Sequence, residues 1–399
     1  MSMLKDYIID ETESLSLGEL SFALETIDDD LKVAFSVLET HDKVTDHIAE
    51  HGLESINDTA LVKWFPNLES KRNPNASILM GFWDDWFTTR HRLIQGIVDL
   101  LRKKEKTIGA YRRKLRSKQF AIAKNELASY NRLHEATFIS MEKYWLYPNG
   151  SHPEDIVEAV KKDFKDTSTF LEGVPHAVES SFKDLHNVIK RASRESVMDT
   201  LDRHSTQLKS PVELVPGMEP NATSRYLYRT ALIIGNTERP EGNSFERLAT
   251  PVEIRVISGG WGSDVVNGIL TTINGILRPA ILSPLGLVTM VRSIISEPFS
   301  LTSDEVIELH QYGSMYLESA EEGIARARTS LNKIDTHSKE IKGLLDEQNI
   351  DMETSRLLAR YMANLTKLVE KPFSDITNRQ IKMAKGINYI LMRTVSRGR

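Results

Sequence analysis

Cysteine is missing from all 399 residues. That excludes disulfides, thiol catalysis and cysteine-ligated zinc, and it suits a reducing compartment. Any run of about 18 uninterrupted apolar residues is missing as well. The most apolar stretch, 265–295, is broken by Asn267, Asn274, Arg278, Pro279 and Pro284, so it reads as a buried helical pair and not as a membrane span. No basic lead precedes the first apolar stretch, Tyr7-Ile8-Ile9, and a secretory signal is not expected.

Signatures of catalysis are scarce too. There is no Gly-x-Ser-x-Gly elbow, no kinase set and no Walker motif. His47 and His51 stand at the i, i+4 spacing of two zinc ligands on a helix, but His-Glu-x-x-His is absent and no third ligand stands beside them. Asp28 and Asp30 would suit a metal–nucleotide motif, yet no strand or glycine-rich loop accompanies them. The run Ser258-Gly259-Gly260-Trp261-Gly262 has neither the Lys-Ser/Thr of a phosphate loop nor dinucleotide spacing, and Ser263 or Asp264 is read as a helix cap. No catalytic residue, cofactor or metal is expected.

What is present is helical period and uneven charge. Hydrophobic residues make up 40% and charged residues 27%, ordinary values that argue against disorder throughout. The formal net charge of −5 hides a division: residues 1–54 hold 14 Asp/Glu against 3 Lys, while the rest holds 48 Lys/Arg against 42 Asp/Glu. An acidic arm precedes a mildly basic body.

Within the arm, Leu20, Leu24, Ile27, Leu31, Ala34 and Leu38 are spaced as a heptad seam. The spacing predicts one apolar stripe, with Asp28, Asp29, Asp30 and Lys32 left to solvent. Fewer than three heptads are too short for a free-standing coil, so the stripe is expected to pack on a partner or on the body. A loop around Pro66–Pro74 leads to a second helical block, about 76–146. It opens with Phe82, Trp83, Trp86 and Phe87 and continues at helical spacing through Leu93, Ile97, Leu100, Ile108, Tyr111 and Leu115. Inside it, residues 102–118 carry nine Lys/Arg against one Glu: Arg102, Lys103, Lys104, Lys106, Arg112, Arg113, Lys114, Arg116 and Lys118. Such a run contacts phosphate backbones non-specifically, or forms a solvated face, or pairs with the acidic arm.

A third helical region starts near Pro153 and runs in pieces to about Gln207, with a break expected at Leu171–Pro175. Residues 210–262 are rich in Pro, Gly and Asn and contain two extended runs, Tyr226–Ile234 and Val252–Ile257, read as a small antiparallel ribbon. From Thr302 the chain is helical again, to about Glu347, then over Glu353–Val369 and Phe373–Met392. The expected fold class is mainly α, an elongated multi-helix body with a small β ribbon inserted in the middle. Its parts are the arm (1–54), a helical domain with the basic segment (55–209), the β-containing insert (210–262) and a C-terminal helical domain (263–399).

The segments Leu20-Ser21-Phe22-Ala23-Leu24-Glu25, Val37-Leu38-Glu39-Thr40 and Gly52-Leu53-Glu54-Ser55-Ile56, with the Trp-rich basic helix and long helical C-terminal half that follow, resemble the phiKZ-like internal head proteins of giant tailed bacteriophages. The resemblance implies a non-enzymatic virion structural protein, assembled in the host cytoplasm, located in the virion interior and trimmed during head maturation. Its implied partners are phage head proteins, non-specifically bound packaged DNA and a maturation protease that cuts after small-x-Glu. Gly52-Leu53-Glu54 matches first, because it ends the acidic arm, and Ala23-Leu24-Glu25 second. Other matches, such as Ser140-Met141-Glu142, Ala177-Val178-Glu179 and Ser193-Arg194-Glu195, fall largely in predicted helices. Removal of residues 1–54 would change the formal charge from −5 to +6, turning a neutralised body into one attracted to DNA within roughly 8 Å at physiological salt. The other reading is a helical structural or adaptor protein that keeps its arm as a docking element.

Overall fold

The computed structural model describes residues 14–51, 64, 78–126, 136–137, 156–192, 196–219, 224–227, 230–235, 244–258, 298–299, 303–347 and 350–396. Eight α-helices account for most of them: α1 (Leu17–His51), α2 (Ile78–Glu126), α3 (Ile156–Lys190), α4 (Val197–Arg203), α5 (Phe245–Leu248), α6 (Ser303–Glu347), α7 (Met352–Thr366) and α8 (Lys371–Ser396). The fold is mainly α, as the periodicity predicts. Among the described residues no helix is long and apolar enough to cross a membrane.

Helix starts follow local chemistry. Ser16 and Glu19 form a reciprocal box at the head of α1: the Ser16 backbone N–H donates to Glu19 Oε2 at 2.6 Å, and the Glu19 N–H to Ser16 Oγ at 3.3 Å. Asp351 caps α7 by accepting from the Thr354 N–H at 2.7 Å.

Long helix α6 is the spine, packing against α2, α3 and α8. Its stripe of Leu309, Tyr316, Leu317, Ala320, Ile324, Ala327, Leu331 and Ile334 is buried at the three- and four-residue spacing of one helix face. Helix α1 packs on α2 and α7. Its predicted seam is therefore seated on the body: Leu20, Leu24, Leu31 and Leu38 are buried, and Ile27 and Ala34 pack against the same core. Trp86 and Phe87 of the predicted aromatic cluster are core residues, edge to face with centroids 4.8 Å apart.

Ala136–Thr137, inside the helical block expected over 76–146, is a β-strand, and two further expectations need correcting. The break at Leu171–Pro175 does not occur, and α3 runs through Pro175. A helix-interior proline costs about 3 kcal/mol, but Phe170, Leu171, Val174 and Val178 are all buried across it, each contributing about 1.5–3 kcal/mol. Gly173 belongs to the same stretch for a different reason: a Cβ there would stand 2.5 Å from Pro216 Cγ, so only glycine permits that approach. Asp28 is the second correction. It is not left to solvent but pairs inward, as set out below; Asp29, Asp30 and Lys32 are exposed as expected.

The expected ribbon is a three-stranded antiparallel sheet. β1 (Ala136–Thr137) belongs elsewhere; β2 (Ser224–Leu227), β3 (Thr230–Gly235) and β4 (Glu253–Ser258) form the sheet in the order β2-β3-β4. The first extended run is itself a hairpin, with Leu227 opposite Thr230 and two residues between. β1 pairs antiparallel with β5 (Pro298–Phe299), a two-residue contact between distant parts of the chain. The apolar stretch 265–295, the loop at 66–74 and the glycine-rich run 259–264 lie outside the described residues.

Candidate functional site: the seam between the acidic and basic helices

Helices α1 and α2 run antiparallel, since Asp42 meets Arg90 and Asp28 meets Lys104. Both contacts lie on the buried side of the pair. Lys104 has 0% of its side chain exposed, with Nζ 2.8 Å from Asp28 Oδ1, an ionic contact off hydrogen-bond alignment, while it donates to Asn378 Oδ1 at 2.5 Å. Burial pushes the Lys104 ammonium below the usual lysine range, and Asp28 and Asp375 oppose that. Burial likewise raises Asp375.

The basic run therefore divides. Lys104 is covered by the body and meets Asp28 of the acidic arm, one of the contacts expected for this run. Arg112 pairs with Glu318 at 2.8 Å and Glu321 at 3.1 Å on α6. Lys114 donates to the carbonyl of Leu15, in the arm just before α1. Arg102, Lys103, Lys106, Arg113 and Arg116 are exposed, while the side chain of Lys118 lies outside the described residues. Pairing with the acidic arm is thus seen for Lys104, with Lys114 tied to the arm's backbone, and the outward residues are open to either remaining reading.

A second buried cluster closes the other end of the seam. Arg90 donates to Asp42 Oδ1 at 2.5 Å, to Glu370 Oε1 at 3.2 Å and to Thr366 Oγ1, and its guanidinium lies 5.6 Å from the Trp86 ring centre. Two carboxylates thus share one guanidinium away from water. Burial alone would raise Asp42, but Arg90, with His41 and Lys367, brings it below the ordinary carboxylate value. Glu370 is pushed up to about 7 by burial. Burial also lowers His41, and its ring stands edge to face with Trp64, centroids 5.7 Å apart. Farther along, Arg360 of α7 pairs with Asp46 at 3.0 Å, and Lys385 of α8 donates to Ser21 at 2.7 Å.

A cleft of about 180 Å³ between α2 and α6 is lined by Trp86, Phe87, Ile94, His91, Asp335 and Lys339, among others. His91 Nδ1 lies 2.7 Å from Asp335 Oδ1, and Lys339 Nζ 3.0 Å from Asp335 Oδ2. Ser338 donates its hydroxyl to the Ile334 carbonyl at 2.8 Å, and neither Ser338 nor Thr88 hydrogen-bonds to His91.

The remaining sequence candidates fall as follows. Gly52, Leu53 and Glu54 lie outside the described residues. Ala23, Leu24 and Glu25 sit inside α1 with Leu24 buried, and Ala177-Val178-Glu179 sits inside α3 with Val178 buried. His47 and His51 stand edge to face, 4.7 Å apart. Among the described residues no group of three or more His, Asp or Glu is placed to hold a metal ion. Not anticipated were the Arg90 cluster, the His91–Asp335 pair and a third buried network, in which Arg379 and Tyr316 both bond Asp163. Comparison with family models, curated proteins and solved structures gives no match.

Proposed function

We propose that this chain is a structural, non-enzymatic helical protein of the phage internal head kind, one that keeps α1 in its folded body while its outer helix faces contact neighbouring head proteins or packaged DNA. The seating of α1 carries the retained-helix part of this reading. Leu20, Leu24, Leu31, Phe35, Leu38 and Ile48 are buried; at about 1.5–3 kcal/mol each they contribute on the order of 10 kcal/mol, an upper bound. Trimming after Glu54 would expose that face of the body and strip Lys104 and Arg90 of Asp28 and Asp42.

The likeness of the Leu20–Glu25, Val37–Thr40 and Gly52–Ile56 segments supports the phage setting and the virion interior. Internal seating of the acidic helix changes how charge works in this setting. Neutralisation by α1 is built into the body through Lys104, and within the described part of the 102–118 run Arg102, Lys103, Lys106, Arg113 and Arg116 face outward. Determining the intact mass and N-terminus of the protein in purified particles tests the reading. Residues 17–51 are expected to be present, attached or as a retained fragment. A chain beginning at Ser55 with no trace of α1 would overturn the retained helix, and absence from every particle would overturn the phage setting.

A further inference from the structure

Two large hydrophobic side chains on α1 are left in water, Phe22 with 72% and Val33 with 65% of their surface exposed. They are eleven residues apart, close to three helical turns, so they share one stripe. That stripe lies on the side of the helix away from Leu24, Leu31 and Leu38. Around it stand the exposed carboxylates Glu19, Glu25, Asp29, Asp30 and Glu39, against Lys32 and Lys43.

The exposed face of α2 has the opposite sign. Arg92, Arg102, Lys103, Lys106, Arg113 and Arg116 are exposed, with Asp99 the acid among them. Among the described residues, Asp30, Arg92, Lys103 and Lys106 make no ion pair. Asp29 pairs with Lys32, Glu39 with Lys43, Glu25 with Lys385 and Arg102 with Asp99 at the surface, while α1 and α2 meet on the buried side through Asp28–Lys104 and Asp42–Arg90 and leave a mainly acidic and a mainly basic face outside.

The two faces also agree in height. The buried pairs fix an antiparallel register in which Asp29 and Asp30 stand level with Lys103 and Arg102. In the same register Glu19 stands level with Arg113, and Glu25 with Lys106 to within a residue. A two-fold axis running along the helix pair keeps every residue at its own height. It therefore sets the acids of one copy's α1 at the level of the bases of the other copy's α2, with no sliding required. Such an interface is isologous and closed, each copy giving one acidic and one basic face. Phe22 falls at the level between Lys106 and Arg113, whose aliphatic stems and cationic heads suit an aromatic ring.

We infer that the outer faces of α1 and α2 form a self-association surface, and that its occupant is a second copy of this chain. The inference rests on the proposed reading in one respect, that α1 stays in the folded body. It names the partner of the outward cations, placing a neighbouring copy there ahead of nucleic acid.

Sedimentation velocity on the full chain tests it, in low salt at an ionic strength of about 0.05 M and in high salt at about 0.5 M, where charge attraction is screened beyond roughly 4 Å. The expected result is a dimer in low salt that dissociates in high salt. A chain with Asp29→Lys and Asp30→Lys, and separately one with Lys103→Glu and Lys106→Glu, should each lose affinity by tenfold or more, because like charges then face one another. Mixed in equal amounts, the two variants should regain a dimer containing one of each. All four positions are exposed, and circular dichroism checks that each variant is folded. A monomer at every salt, or variants that dimerise as the parent does, overturns the inference. So does a mixture of folded variants that stays monomeric. A monomer whose Lys103/Lys106 face binds random DNA would also overturn it, while leaving the retained helix and the structural reading intact.

Discussion

Lys103 and Lys104 are neighbours in one basic run, yet they should respond in opposite ways to the same substitution. Lys104→Met keeps the aliphatic stem and removes the ammonium from a site where its side chain is wholly buried, 2.8 Å from Asp28. Asp28 and the largely buried Asp375 then lose their common cation, and Asn378 loses a donor. Breaking a buried ion pair from one side costs about 3–5 kcal/mol, and since Asp28 retains some access to water we expect about 3. Asp28→Asn alone should cost a similar amount, because it strands the ammonium. Combining Asp28→Leu with Lys104→Met should recover most of the loss, since replacing both charges with apolar groups is often near neutral. A coupling of about 2 kcal/mol is expected from the cycle. Lys103→Met, at an exposed position without an ion pair, should stay within about 0.5 kcal/mol of the parent. Urea unfolding followed by circular dichroism measures all of these. Equal midpoints for Lys104→Met and the parent would mean that Lys104 is in solvent, and the seating of α1 on α2 would fall with it.

Other consequences are open to the same assay. Glu370 has its pKa raised by burial from 4.5 to about 7, so the stability of its neutral form is whole below about pH 4.5 and is lost as pH rises through 7. At about 1.4 kcal/mol per unit, the parent should lose up to about 3 kcal/mol relative to Glu370→Gln between pH 5 and 8, and parallel pH profiles would refute this. Gly173→Ala should destabilise by about 1–2 kcal/mol, because its Cβ would stand 2.5 Å from Pro216 Cγ. Gly96→Ala, in the same residue type and in another long helix but with open space around it, should stabilise by up to about 1 kcal/mol; a gain at both positions would show that Pro216 yields freely. Tyr316→Phe removes a hydroxyl that bonds Asp163 at 2.8 Å and the Val160 carbonyl at 3.1 Å. A loss of about 1.5–3 kcal/mol is expected, and no change would place that hydroxyl outside the network.

Much of the helical frame was legible because long amphipathic segments repeat one signal many times. The heptad of α1, the end of α6 at Glu347 and the two last helices follow from it. Pro175 is a local breaker, and its sequence neighbourhood carries no sign of the tertiary burial on both sides that holds the helix through it. The β1–β5 contact was not legible at all. Two residues carry no period, and their partner is about 160 residues away.

Charge was the feature read at the wrong scale. Net charge over residues 102–118 describes one patch, whereas the helical period divides the run between buried and exposed faces. Continued from Trp86, the apolar stripe passes through Ile97, Leu101, Ile108, Tyr111 and Leu115 in steps of three and four, and Arg90 and Lys104 lie on it. The α1 seam, continued past Leu38, reaches Asp42 in the same way. A charged residue on a buried stripe has to meet an opposite charge or a set of hydrogen bonds, since desolvation without them is too costly. Asp42 and Arg90 answer each other across the seam, and Lys104 finds Asp28 one position off the α1 stripe. Phase relative to the stripe, and not local net charge, therefore separates the cations buried in this protein from those that face outward. Arg102, Lys103 and Lys106 are off the stripe and exposed, which is why the proposed self-association is tested at this face.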